Sequence, residues 1–287
     1  MQLIGQVSNK EIIDRWVTPP NFIIVQGERH SGKTHLITYI CDKFNLFYKQ
    51  VNISIKDIRN LINVMTPHSK MVYHLKDFDK ASLRAKNALL KIAEETPEDN
   101  YIIISGSQQL KTLESRARKI VMEPYTISEL TEFTTLNFKQ LEPLINKLYI
   151  SGINTPAKID LYSKYEHLES LLDYAYDVFK KLTYITPNTY VEMLSRFEDR
   201  YKLTSTSSYT DDSGNEIKEQ LDLDPCLLFY NMLISLISNT IIKNQYYSYK
   251  PILEILLKYK QKLLYEPTLR RKMLLFRTFY EIENVRK

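Results

Sequence analysis

The chain has 287 residues, 44% of them hydrophobic and 25% charged, with a formal net charge of +5. That balance excludes a disordered or fibrous chain and leaves room for two or three domains with cores of their own. The mild positive charge permits a nucleic-acid partner without requiring one, and the scarcity of glycine, six residues in all, points toward helix.

In chain order, the first clear element is Phe22-Ile23-Ile24-Val25, a short apolar run rich in β-branched residues that reads as a buried strand. Gly27-Glu28-Arg29-His30-Ser31-Gly32-Lys33-Thr34 follows it and fits G-x-x-x-x-G-K-[ST] at every fixed position. A helical pattern starts at Gly32 and runs on through His35–Ile40. Strand, glycine-bounded loop and helix form the geometry that wraps a phosphate with backbone N–H groups. In that reading Lys33 reaches the β and γ phosphates of ATP, and Thr34 holds Mg²⁺ through its hydroxyl. Further strands are expected at Tyr48–Ile53, Met71–Leu75, Tyr101–Ser105 and near Lys119–Met122, with a helix over Ala81–Glu95 that ends at Thr96-Pro97. This alternation implies a parallel sheet with crossover helices.

From about Thr126 to Leu182 the pattern is helical, with Ser128 as the expected N-cap and a turn at Ser151–Pro156. Thr204–Asn215 is polar and low in complexity, a flexible loop. Helices return in Leu227–Ile242, Ile252–Leu264 and, after Pro267, Thr268–Lys287. Cys41 and Cys226 are far apart with no zinc-ligand spacing, and the five histidines show no metal or triad pattern. No uninterrupted apolar run reaches spanning length, and Met1–Gln6 lacks the features of a signal peptide. A reduced cytoplasmic setting with no membrane partner is expected, the host cytoplasm if the source is a phage.

The order of these motifs resembles the clamp-loader AAA+ subunits of replicative DNA polymerases, with the bacterial delta-prime subunit nearest and gamma/tau second. Leu3-Ile4-Gly5-Gln6 is similar to the family's opening "IxGQ". Val72–Lys80 resembles its second acidic motif, Asn87–Pro97 its "NALLKxxEExP" helix, Tyr101–Ser107 its sensor-1 strand, and Ser115-Arg116-Ala117 its "SRC" motif with the Cys lost. Thr155-Pro156-Ala157-Lys158 stands where the family has its sensor-2 turn. The resemblance implies an α/β P-loop AAA+ domain over 1–124, a small helical lid over 125–184 and a helical collar over 185–287. It also implies ATP and Mg²⁺ as cofactors, sister subunits in a ring, a sliding clamp, and primer–template DNA held through its backbone. A shortened phage or plasmid loader would suit the chain.

The resemblance assigns roles to particular residues. An NTPase ends the second acidic motif with Asp-Glu; here Lys76 falls at the Asp position and Asp77 at the Glu position. A cation beside Mg²⁺ is electrostatically wrong, so weak or absent hydrolysis at the chain's own site is expected, with a slipped register that uses Asp77 or Asp79 as the alternative. Arg116 is implied to be a finger that reaches a neighbour's ATP, with Arg118 a competitor. Ser107 is the sensor-1 candidate, with Ser105 as the alternative, and Lys158 replaces the sensor-2 arginine without its bidentate fork. Lys80, Arg84 and Lys86 flank the helix expected to face DNA. An active motor ATPase of the same assembly is the second reading; a P-loop kinase or free-standing NTPase is the third.

Overall fold

In the computed structural model, residues 4–108, 111–201, 224–244, 247–265 and 270–286 are described. β-Branched and aromatic residues between turn formers make the first strand, β1 (Phe22–Gln26). The others are β2 (Phe47–Val51), β3 (Met71–Leu75), β4 (Asn100–Gly106) and β5 (Arg118–Val121). Every pairing is parallel, in the order β2-β3-β4-β1-β5. β4 therefore lies between β1 and β3. Gln26 is in register with Gly106, and Leu75 with Ile104, so the C-terminal ends of the three strands stand side by side. In open α/β sheets that edge is where ligands bind.

Helices cover both faces, as a parallel sheet requires. They are α1 (Val7–Asp14), α2 (Lys33–Phe44), α3 (Ile55–Val64), α4 (Leu83–Glu94) and the single turn α5 (Lys111–Glu114). Successive strand residues point to opposite faces. Ile23, Val25, Val72 and Ile103 pack with Leu36, Ile37 and Ile40 of α2 on one side. Ile24, Tyr73, Leu75, Ile102 and Ile104 pack with Ile58 and Leu61 of α3 and Ala85, Leu89 and Ile92 of α4 on the other. Each large aliphatic or aromatic side chain so buried contributes roughly 1.5–3 kcal/mol.

Caps set the boundaries. Ser54 accepts a hydrogen bond from the Asp57 N–H (3.1 Å), which ends the extended segment at Val51 rather than Ile53 and starts α3. Ser82 does the same for Ala85 (3.2 Å), so α4 begins at Leu83 rather than near Ala81. The next helix, α6 (Ile127–Asn137), is capped by Thr126 and not by Ser128. The Glu129 N–H donates to Thr126 Oγ1 (3.3 Å) while the Thr126 N–H donates to Glu129 Oε2 (2.7 Å), a reciprocal capping box. Ser128 falls inside the first turn.

The chain divides into two compact units, residues 1–133 with 155–157, and residues 134–154 with 158–287. The second is helical: α7 (Ile145–Ile150), α8 (Pro156–Ser163, begun in the first unit), α9 (Leu168–Lys181), α10 (Pro187–Tyr201), α11 (Pro225–Asn244), α12 (Lys250–Tyr265) and α13 (Arg271–Arg286). Its centre is aromatic, with Phe229 against Tyr174 (ring centroids 5.4 Å apart) and Phe197 (5.2 Å). α11 is long and apolar enough to cross a membrane by length and composition. Its Leu228, Phe229, Tyr230, Leu233 and Ile237 are buried inside this unit, and core packing accounts for that apolarity. Asp224 caps α11 through the N–H groups of Cys226 (2.9 Å) and Leu227 (3.2 Å), and pairs with Arg271 at 3.2 Å. The polar stretch 204–215, Leu3 and Pro267-Thr268 lie outside the described residues.

Candidate functional site

The glycine-bounded loop joins β1 to α2 at the C-terminal edge of the sheet. Gly32, just before α2, has φ 88, and a Cβ there would stand 2.7 Å from the Tyr125 hydroxyl oxygen. Only glycine fits that conformation and that approach. The ammonium of Lys33 donates to the carbonyl oxygens of Gly27 (2.8 Å) and Glu28 (2.5 Å), drawn across its own loop. Burial lowers the pKa of Lys33, while the charges of Asp77 and Asp79 act the other way. Ser31 is 8% exposed, and its hydroxyl oxygen is buried with no partner. An orphaned hydroxyl, a lysine and a helix N-terminus together fit a phosphate chain. If a nucleotide binds, Gly27, Glu28, Arg29, His30, Ser31, Gly32, Lys33 and Thr34 would hold it, and a divalent ion would neutralise its phosphate charge.

The "IxGQ" segment has a structural reason. The Gln6 amide donates to the Glu123 carbonyl (2.7 Å) and accepts from the Glu123 N–H (2.9 Å), with Asn9 donating to the same amide oxygen (2.8 Å). This clamp ties the start of the chain to the segment after β5. Tyr125, two residues on, extends its hydroxyl to the Ser31 carbonyl (3.4 Å). Nothing in the loop motif itself points to Tyr125 or Gln6 as its supports.

After β3 the chain turns sharply. Lys76 is exposed, and Asp77 is left-handed (φ 54) and pairs with Lys80 at 3.3 Å. Asp79 points instead toward the end of β4, where its Oδ2 accepts the Ser107 hydroxyl (2.8 Å). Its main-chain carbonyl accepts the Lys86 ammonium (2.8 Å). Ser105 is placed differently from Ser107. It is buried within the sheet and hydrogen-bonds His74 Nε2 (2.8 Å), while His74 Nδ1 meets the Tyr48 hydroxyl (2.7 Å). Of the two serines, Ser107 stands at the strand end beside the acidic turn. A polar residue at the inward-facing parity of Val72 was the signal for the His74 chain. Among the described residues no three His, Cys, Asp or Glu side chains gather to hold a metal, so an ion here would draw most of its oxygen ligands from phosphate and water.

Arg116 lies in the turn between α5 and β5. Its Nε donates to Glu94 Oε1 at 2.6 Å, and the two side chains are 48% and 56% exposed. Arg118 opens β5 and is exposed. Lys158, in the helical unit, donates to the Gly152 carbonyl (2.8 Å) and to Asn154 Oδ1 (3.1 Å), bracing the turn before α8. Arg84 is exposed on α4.

A glycine-bounded loop after β1, an acidic turn after β3 and a serine after the strand between them define an α/β domain of the P-loop kind. Residues 17–126 match the family described as DNA polymerase III, delta subunit. Among solved structures, the chain is similar to a DNA polymerase III gamma subunit-related protein from Thermotoga maritima, with 15% identity, 98% of this chain and 99% of that chain covered, and a TM-score of 0.46. It is also similar to a RuvB mutant from Thermotoga maritima, with 14% identity, 96% and 88% covered, and a TM-score of 0.48. No curated protein matches the chain.

Proposed function

We propose that the chain is a clamp-loader subunit that binds ATP·Mg²⁺ at its P-loop, hydrolyses it weakly or not at all, and lends Arg116 to the ATP site of a neighbouring subunit. The carrying observation is the pairing, in one domain, of a complete phosphate loop with a β3 turn that opens on the exposed Lys76. Where an acid would order the metal and its water, this chain has a cation, so binding survives while the hydrolytic step is impaired. The setting of Arg116 supports the finger. It is half-exposed, and its pairing with Glu94 is a surface ion pair, worth about 0–1 kcal/mol. A partner's triphosphate, with more charge and fixed acceptors, would displace Glu94 easily.

In this reading residues 125–184 serve as a lid and residues 185–287 as a collar that joins sister subunits into a ring. The ring places a sliding clamp on primer–template DNA in the cytoplasm. Lys80, Arg84 and Lys86 are candidates for salt-sensitive backbone contacts to that DNA. A second reading, an active motor subunit, draws on Asp79, whose carboxylate stands beside Ser107.

The test is Arg116→Ala in the chain reconstituted with its partner subunits. Nucleotide binding by this chain should stay unchanged while hydrolysis by the assembly falls by about 10³-fold or more. An assembly indifferent to the change removes the finger. Rapid ATP turnover by the isolated chain, lost on Lys33→Ala, favours the motor reading.

A further inference from the structure

We infer that Asp79, held by Ser107, is the carboxylate that serves the divalent ion at the nucleotide, in place of the two residues that end the acidic strand. The inference rests on the nucleotide-binding reading above and adds to it the residue responsible for the metal.

Three carboxylate or cationic positions compete in the turn after β3, and the structure separates them. Lys76 carries the wrong sign. Asp77 is 46% exposed and shares its Oδ2 with Lys80 at 3.3 Å, a solvent-facing pair on its own short turn. Asp79 is anchored across the sheet edge instead. One oxygen, Oδ2, accepts the Ser107 hydroxyl at 2.8 Å, which fixes the plane of the carboxylate. The other, Oδ1, is buried with no partner. A buried carboxylate oxygen without a donor is costly, by roughly 1–3 kcal/mol or more for a charged group. That cost is offset when a cation or its bound water arrives.

The backbone leaves room for this arrangement. A Cβ on Gly106 would meet Asp79 Oδ1 at 2.7 Å, so the strand end must be glycine for the carboxylate to lie there. Gly106 is also the β4 residue whose carbonyl accepts the N–H of Gly27, the first residue of the phosphate loop (3.0 Å). Asp79 thus leans on the β-strand residue that is bonded directly to that loop. The charges of Asp79 and Asp77 both act on Lys33. The loop has its own orphan, the buried Ser31 hydroxyl. The loop and the turn after β3 thus each hold an unpartnered buried oxygen, one neutral and one acidic. Ser107 orients Asp79, so its role is positioning.

The test uses the full chain and a fluorescent ATP analogue, titrated in Mg²⁺ and in EDTA, with Mn²⁺ substituted for an electron paramagnetic resonance readout of bound metal. Asp79→Asn keeps an oxygen to accept the Ser107 hydroxyl and removes the charge. It should abolish the Mg²⁺-dependent tightening, a loss of about tenfold or more, and the bound-Mn²⁺ signal, while affinity in EDTA is no weaker than wild type. Asp77→Asn should retain both. Ser107→Ala should weaken the metal effect without affecting binding in EDTA. Retention of the metal effect by Asp79→Asn, or its loss in Asp77→Asn alone, overturns the inference and leaves nucleotide binding standing. A wild-type chain that binds no analogue, or binds it as well after Lys33→Ala, overturns the nucleotide reading itself.

Discussion

Acidification should destabilise the P-loop domain through His74. The ring is fully buried, between the Tyr48 hydroxyl of β2 and the Ser105 hydroxyl of β4. Burial lowers its pKa from 6.5 to about 4; the charges of Lys76 and Lys33 push the same way and Asp77 opposes them. The unfolded chain therefore takes up a proton on this ring near pH 6.5, and the folded chain only near pH 4. Between those values the unfolded state binds more protons, so stability falls as the pH falls, and the full contribution is lost near the folded value. The gap corresponds to about 3 kcal/mol, a large share of a domain's net stability. The only tryptophan, Trp16, packs against the α2-side cluster of the same sheet, so its fluorescence reports this domain. Urea unfolding of wild type and His74→Gln, from about pH 7.5 to about pH 4.5, isolates the effect. The stability of wild type relative to the variant should drop by roughly 2–3 kcal/mol over that range. Parallel pH profiles would refute the argument, because they would mean that the imidazole titrates alike in both states.

Other outcomes follow from the same physics. Arg271→Met leaves the buried carboxylate of Asp224 without its counter-charge and with only the cap N–H groups of Cys226 and Leu227, since the pair is only 8% and 10% exposed. The helical unit should lose about 3–5 kcal/mol, read as a lower melting temperature in far-ultraviolet circular dichroism. Gly32→Ala forces a Cβ into a left-handed position 2.7 Å from the Tyr125 hydroxyl. It should weaken binding of the fluorescent ATP analogue and cost about 1–2 kcal/mol in the Trp16-reported unfolding. Thr126→Ala removes one half of the capping box at α6 and should cost about 1 kcal/mol in the same assay.

Much of the sheet could be read from residue order alone. Phe22–Val25, Met71–Tyr73 and Tyr101–Ile104 are continuous apolar runs, as strands covered on both faces must be. β2 was harder to bound, because Phe47, Tyr48, Lys49 and Gln50 are exposed on an edge strand and carry no burial pattern. α1 and α3 went unread. α1 has little apolar periodicity and is held by the Gln6 and Asn9 side chains, contacts that reach across more than 110 residues. α3 shows its apolar spacing only once Ser54 is known to end the strand before it.

The candidate site divides along the same line. A local motif, Gly27 to Thr34, determines by itself a loop that can wrap phosphate, because backbone angles, a lysine and a helix start are all set within eight residues. That Lys76 falls where the resemblance calls for an acid was likewise an expectation of the sequence, with Asp77 and Asp79 both left open as carboxylates for the metal. What only the tertiary structure decided is which carboxylate faces the neighbouring strand. Asp77 and Asp79 are two residues apart and chemically alike, and it is the insertion of β4 between β1 and β3 that brings Gly106 and Ser107 against one of them and leaves the other to Lys80 in solvent. Sequence spacing fixes what a strand end carries; parallel pairing across distant segments fixes what it meets.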